Sequence, residues 1–325
     1  MKEVNIVLTM DCEPTTSTSD RTASGPKDWT QSERAIRGYV GIGGKHGFPV
    51  SFFIHPETAI AQSGLFKELE AGGACLGLHV HPWKYSRWRH GGKRYFNHYG
   101  NLSDTEQLCL LTETAALWQD ALGRHPLYFR SGTFSANDST FRILQQAGFR
   151  GGSCSAPGRV VREMQAIWTA AEPDPHRGNA LFRQLRGDLD FANVPLTMDF
   201  SNLLTATNDR RMYADLRPDT DWPGQYGISY QTIATNIVEQ VKARNPAIPT
   251  IVVITHNHFE FSDPAGIHTR RLHAALDALQ NACSSAGIKP IGARLDQIVD
   301  KVLATPYEEP PFHCEGYIFK KGETP

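Results

Sequence analysis

Short apolar runs rich in β-branched residues alternate with segments of helical period along the chain, and that alternation restricts the fold more than any other feature. A parallel strand buried on both faces reads as a continuous apolar run, and the connection back to its neighbour needs a crossover, usually a helix. Runs of this kind lie at Val4 to Met10, Val50 to Ile54, Cys75 to Val80, Leu127 to Phe129, Phe149 to Ser153, Phe191 to Leu196, Thr250 to Ile254 and Ile288 to Ile291. Between them, Ser103 and Glu106 form a capping box ahead of Leu108, Leu111, Ala115, Trp118 and Leu122, and Gly123 ends that helix. Phe141, Leu144 and Ala147 before Gly148, the stripe Ile233, Ile237 and Val241, and Leu272, Leu276, Leu279 and Cys283 before Gly287 mark three more amphipathic helices. The expected fold class is α/β, a parallel (β/α) barrel of seven or eight strands. With no fixed-period repeat and no low-complexity linker, the 325 residues are expected to form one domain, 1–325.

A formal net charge of -1 gives no global pull toward nucleic acid or an anionic membrane. No apolar run approaches the ~20 residues of a spanning helix. Met1-Lys2 leads directly into Val4-Asn5-Ile6-Val7-Leu8 without a signal-peptide cleavage region, so the expected compartment is the cytoplasm. Cys12, Cys75, Cys109, Cys154, Cys283 and Cys314 are scattered without a C-x-x-C pair, which suits free thiols and disfavours cysteine-ligated zinc. Three long segments read as functional loops: Thr15 to Ser32, Lys84 to Asn101, and Ala156 to Asp190.

Ionisable residues collect at the C-terminal ends of the predicted strands, where a parallel barrel carries its chemistry. After the first strand comes Asp11-Cys12-Glu13, and alternation in extended chain puts the two carboxylates on a face that Cys12 does not share. After the third comes His79-Val80-His81-Pro82-Trp83, whose i, i+2 imidazoles form a natural chelate for zinc or a related ion. Arg130 follows the fourth strand, with a fork suited to holding a carboxylate. Thr255-His256-Asn257-His258 follows the seventh, where either imidazole could act as a general acid. Each feature alone has an ordinary structural explanation as a cap, a surface pair or an ion-pair partner. Their conjunction on different strand ends points to a metal-dependent hydrolase.

The ordered motifs resemble the polysaccharide deacetylase family, the NodB-homology or carbohydrate esterase family 4 enzymes, from Thr9 to about Thr255-His256. Thr9-Met10-Asp11-Cys12-Glu13 is similar to the family's first motif, Gly77-Leu78-His79-Val80-His81 to its second, Phe129-Arg130-Ser131-Gly132 to its third and Ile254-Thr255-His256 to its fifth. Gly47 to Ile54 resembles the family's second strand, and Val194 to Asp199 is the best match to the fourth motif, which makes Asp199 a candidate. Two departures stand out: the usual Asp-Asp is Asp-Cys-Glu, and the histidine spacing has shortened from four to two.

The resemblance implies a deacetylase-type distorted barrel with Asp11 as general base, Arg130 orienting it and His256, preferred over His258, as general acid. Glu13, His79 and His81, or another residue in place of His81, would hold a divalent ion, Zn2+ first with Co2+, Ni2+ or Mn2+ as alternatives. A backbone N–H beside Ser131 or Gly132 would stabilise the oxyanion. Trp83, Arg87, Trp88 and Arg89, with His258, are expected to contact substrate, the aromatics as platforms for sugar rings and the arginines for an anionic group. The absence of Gly-x-Ser-x-Gly argues against an acyl-enzyme route. The expected activity is N-deacetylation of an amino-sugar-containing saccharide. Hydrolysis of a small formyl or cyclic amide and a catalytically silent carbohydrate-binding barrel are the alternatives.

Overall fold

The computed structural model describes residues 1–16, 24–207 and 209–307, so Cys314 lies outside the described residues. Strand β1 (Glu3–Cys12) lies one strand in from an edge of the sheet, and every residue from Ile6 on is buried, Thr9 and Asp11 along with the apolar ones. One edge of β1 carries β7 (Thr250–His256) in parallel, from Asn5 opposite Thr250 to Asp11 opposite His256. The other edge is shared: β8 (Lys289–Gly292) pairs with its first half and β2 (Val50–Ile54) with its second. The sheet then continues in parallel through β3 (Cys75–Val80), β4 (Tyr128–Ser131), β5 (Gly151–Gly152) and β6 (Ala192–Asn193). These eight parallel strands match the eight predicted runs, and the short antiparallel pair His176–Arg177 adds to the β6 edge.

The sheet curls into a half-barrel that does not close by a ladder between β6 and β7. The sequence after β6 explains this. Pro195 has no amide hydrogen to donate, and the Leu196 N–H turns to the Ser155 carbonyl. The Val252 N–H of β7 is met instead by the Thr197 hydroxyl at 2.9 Å. Beyond that point the hairpin Asp199–Ala206 with Arg210–Ala214 forms a second, antiparallel sheet together with Val160–Val161 and Ala166–Ile167.

Helices α1 (Trp29–Lys45), α2 (Pro56–Ala61), α3 (Ser63–Ala71), α4 (Pro82–His90), α5 (Asp104–Leu122), α6 (Thr140–Gln146), α7 (Tyr230–Arg244), α8 (Ile267–Ser285) and α9 (Leu295–Ala304) connect the strands. The predicted capping box is present on α5, with Glu106 returning a bond to the Ser103 N–H, and Gly123 at φ 87° closes the helix. The basic, aromatic stretch expected to be a loop from Lys84 begins instead as α4. Pro82 opens it at a position where no amide hydrogen is needed, and Gly91 at φ 58° ends it. Among the described residues no helix is long and apolar enough to cross a membrane, and the described cysteines are free thiols.

Trp118 of α5 is fully buried in the apolar core against the sheet. Trp118→Ala is expected to lower unfolding stability by about 3–5 kcal/mol, read from the urea midpoint at unchanged slope. A loss under about 1 kcal/mol would show that α5 does not pack as described.

Candidate active site

The strand registers bring the predicted residues together. Asp11 stands opposite His256 across β1 and β7, and His79 stands opposite Arg130 across β3 and β4. Arg130 is fully buried. Its Nη1 donates to Asp11 Oδ1 at 2.7 Å and to Thr9 Oγ1 at 3.0 Å, while its Nε and Nη2 go to the Ser153 carbonyl and hydroxyl at 3.0 and 2.8 Å. Burial pushes the Asp11 carboxyl up, but the Arg130 guanidinium, with His79 and His256 nearby, holds it below the usual carboxylate range. Asp11 is therefore an anion with a fixed orientation.

Glu13, His79 and His81 converge, each buried, with one ligand atom apiece inside 4.8 Å of the others. Glu13 Oε1 lies 2.8 Å from His81 Nε2 and 3.3 Å from His79 Nε2. His79 Nδ1 is 2.9 Å from the Arg130 carbonyl, which can only accept, so Nδ1 carries a proton and Nε2 is the nitrogen turned to Glu13. One carboxylate with two imidazoles is a donor set that suits a divalent ion. Burial pushes His81 down to about 4 despite the opposing pull of Glu13, so it is a neutral imidazole as ligation requires. Gly132 makes room for it: a Cβ there would meet His81 Nδ1 at 2.2 Å.

Sequence reasoning missed Lys84. Its ammonium is buried, 2.8 Å from Glu13 Oε2 and 2.7 Å from the Ser24 carbonyl. Although burial pushes Glu13 up, His81, Lys84 and His79 together hold it well below the usual carboxylate range. Asp219 was missed as well. Its Oδ2 lies 2.8 Å from His256 Nδ1, and its other oxygen accepts the Thr255 hydroxyl. Burial lowers His256, yet the bond and charge of Asp219 outweigh it and raise the imidazole above its ordinary value, so His256 can carry a proton to give.

Asp199, the candidate from the presumed fourth motif, is buried elsewhere. Its oxygens accept from the Ser201 amide and from the side-chain amides of Asn202, Asn236 and Gln240, which ties the hairpin to α7. Nothing in its local sequence distinguishes such an amide-saturated carboxylate from a catalytic one.

Asp11, Glu13, His81, Trp83, Lys84 and His256 line a cavity of about 270 Å³, together with Thr133, Phe134 and others. Thr133 and Phe134 both adopt left-handed backbone, φ 59° and 58°, a costly state for a β-branched residue. The turn is held by the Trp168 indole N–H donating to the Phe134 carbonyl at 2.8 Å. The other expected substrate contacts lie outside this lining. Arg87 and Arg89 are exposed on α4, Arg89 covers the Trp88 ring, and Trp88 packs on His55 and Tyr85. Ser131 and Gly132 are buried behind the wall, and His258 stacks on Phe259, pushed down to about 4 chiefly by burial.

Asp219→Asn removes the carboxylate that raises His256, so the His256 pKa is expected to fall, followed by proton NMR titration of the ring. An unchanged titration would mean that Asp219 does not set the protonation of His256.

No protein-family profile and no curated protein matches the chain. Solved structures do. One from Mycobacterium smegmatis, assigned as a polysaccharide deacetylase, is 14% identical, covers 96% of each chain and has a TM-score of 0.57. Puue allantoinase is 13% identical with a TM-score of 0.52, covering 94% of this chain and 91% of its own. A Pseudomonas aeruginosa PAO1 protein, also assigned as a polysaccharide deacetylase, is 12% identical with a TM-score of 0.50, covering 91% of this chain and 89% of its own. The chain is built on the distorted half-barrel fold of the polysaccharide deacetylases.

Proposed function

We propose that this protein is a metal-dependent amide hydrolase, an N-deacetylase of an amino-sugar-containing saccharide. The reading rests on one observation: an arginine-held carboxylate, a carboxylate-held imidazole and a Glu-His-His donor set meet at one cavity. The deacetylase assignment of two proteins with this fold supports the substrate class.

A divalent ion held by Glu13, His79 and His81, zinc first with Co2+, Ni2+ or Mn2+ as alternatives, supplies Lewis acidity toward the amide carbonyl and lowers the pKa of water. Asp11 has one oxygen committed to Arg130 and the other left to accept the proton of the attacking water. His256, fixed through Nδ1 by Asp219, has Nε2 left to protonate the departing nitrogen, which would otherwise leave as a very poor amide anion. The backbone N–H at Ser131 or Gly132 expected to meet the oxyanion does not belong to the cavity lining, so neither is assigned that role. Trp83 offers the sugar ring an aromatic wall within the cavity.

The second reading is hydrolysis of a small formyl or cyclic amide. A cavity of about 270 Å³ suits a compact substrate, and an allantoinase shares the fold.

Turnover of N-acetyl sugars, N-formyl compounds and cyclic imides separates the two readings. His79→Ala is expected to lose stoichiometric metal by elemental analysis, while Asp11→Asn keeps metal and loses turnover by about 10²–10⁴-fold. Wild-type protein with no stoichiometric metal and no amidase activity after metal addition would make the chain a silent carbohydrate-binding barrel instead. The pH profile of kcat/KM adds a check. Its acid limb should fall below the usual carboxylate range, where Asp11 gains a proton, and its alkaline limb above the ordinary histidine value, where His256 loses one. Asp219→Asn should move the alkaline limb to lower pH, and a stationary limb would remove His256 from the acid role.

A further inference from the structure

The lining of the same cavity includes two arginines that the proposed chemistry does not use, Arg159 and Arg217, and His98. Their states differ. Arg217 lies against the buried Asp215, donating through Nε to both carboxylate oxygens at 2.8 and 2.9 Å, and that pairing keeps it firmly charged although burial opposes it. Arg159 forms no ion pair among the described residues, and its Nε is buried without a hydrogen-bond partner. Its guanidinium sits over the Phe134 ring, 5.9 Å from the centroid. Burial, with Arg217 adding repulsion, brings its pKa down to about 10, which still leaves a cation at neutral pH.

The other charges at the cavity are each matched. Asp11 has Arg130, Glu13 has Lys84, and Arg217 has Asp215. Arg159 is the cation left over, and a half-buried guanidinium with a dry, unbonded N–H is costly unless something anionic completes it. His98 contributes a second unfilled polar atom: its Nδ1 is buried without a partner, and burial lowers the ring toward the neutral form, which can donate or accept. A flat guanidinium fork accepts two oxygens of one carboxylate or phosphate at once.

We infer that the amide substrate carries an oxyanion, a carboxylate or a phosphate, which docks on Arg159 beside His98 while its amide faces Asp11 and His256. This assignment rests on the hydrolase reading for the amide end but not for the anion, which Arg159 would bind whether or not turnover follows. It also moves the anion site from the exposed Arg87 and Arg89 of α4 to the cavity itself.

Calorimetric titration of the full-length protein tests it without requiring catalysis. The probes are N-acetylglucosamine, its 1-phosphate, and N-acetylmuramic acid, which carries a carboxylate. At least one anionic probe is expected to bind tenfold or more tightly than the neutral sugar, and which one does so names the oxyanion. Arg159→Gln should erase the preference and leave the neutral sugar's affinity unchanged, Arg159→Lys should retain part of it, and Arg87→Ala should retain all of it. His256→Ala should keep the preference while losing turnover, so failure of the hydrolase reading stays separate from failure of this one. Equal affinities in the wild type, no measurable binding of either anion, or a preference that survives Arg159→Gln would each overturn the inference.

Discussion

The guanidinium of Arg130 is fully buried, and its partners come from around the curl of the sheet. It bonds Thr9 and Asp11 of β1 and the carbonyl and hydroxyl of Ser153 just after β5, and it lies over the Phe53 ring of β2 at 4.1 Å. Its own carbonyl receives His79 of β3. A buried charge survives only when paired and bonded on all sides, and removing one partner of such a pair costs on the order of 3–5 kcal/mol. The arrangement ties the strand ends to one another, so the orientation of Asp11, set by the side chain, and the Nδ1 proton of His79, set by the backbone carbonyl, depend on the same residue. Orientation of the reactive groups is thus set by the fold's own polar core rather than by mobile loops.

Each group of the candidate site has its proton biased by its surroundings. Arg130 keeps Asp11 ionised, Asp219 keeps His256 able to hold a proton, and burial keeps His81 neutral. Pushing Asp11 down and His256 up separates the two titrations and leaves a pH window in which Asp11 is ionised while His256 is protonated, the states the proposed roles require. Asp11 and His256 face each other across the β1 and β7 register, so the window and the geometry come from one pair of strands.

What the sequence disclosed follows from how local each signal is. The parallel strands were legible because burial on both faces leaves no room for polar alternation, as in Val4 to Met10. The strand-end pairs were legible because extended chain puts i and i+2 on one face. Helix α1 was not, since Gly38, Gly41, Gly43 and Gly44 read as breakers. Two of these glycines are packing requirements: a Cβ at Gly38 would meet the Phe261 backbone at 2.4 Å, and one at Gly43 the Phe48 carbonyl at 2.8 Å. Lys84 was read only as the start of the loop Lys84 to Asn101, and lysine is so rarely buried that nothing in the sequence singled it out. Asp219, Arg217 and Arg159 lie in irregular segments whose side-chain directions no period encodes, although the length of Ala156 to Asp190 had already marked Arg159's surroundings as functional.

The shortened histidine spacing has a structural counterpart in Lys84. With a spacing of four, the second histidine would fall within the helix that follows the strand. Here His81 is still extended, at the N-cap of α4, and its ring fits only because position 132 has no Cβ. That leaves the first turn of α4 free to send Lys84 back to Glu13, whose Oε2 it neutralises while Oε1 stays turned toward the two imidazoles. The carboxylate of the donor set thus has a permanent counter-cation within the chain. Glu13, His79 and His81 are thus held together by contacts within the chain. A site organised in this way trades some attraction for a dication, through the nearby ammonium, for preorganisation of its ligands.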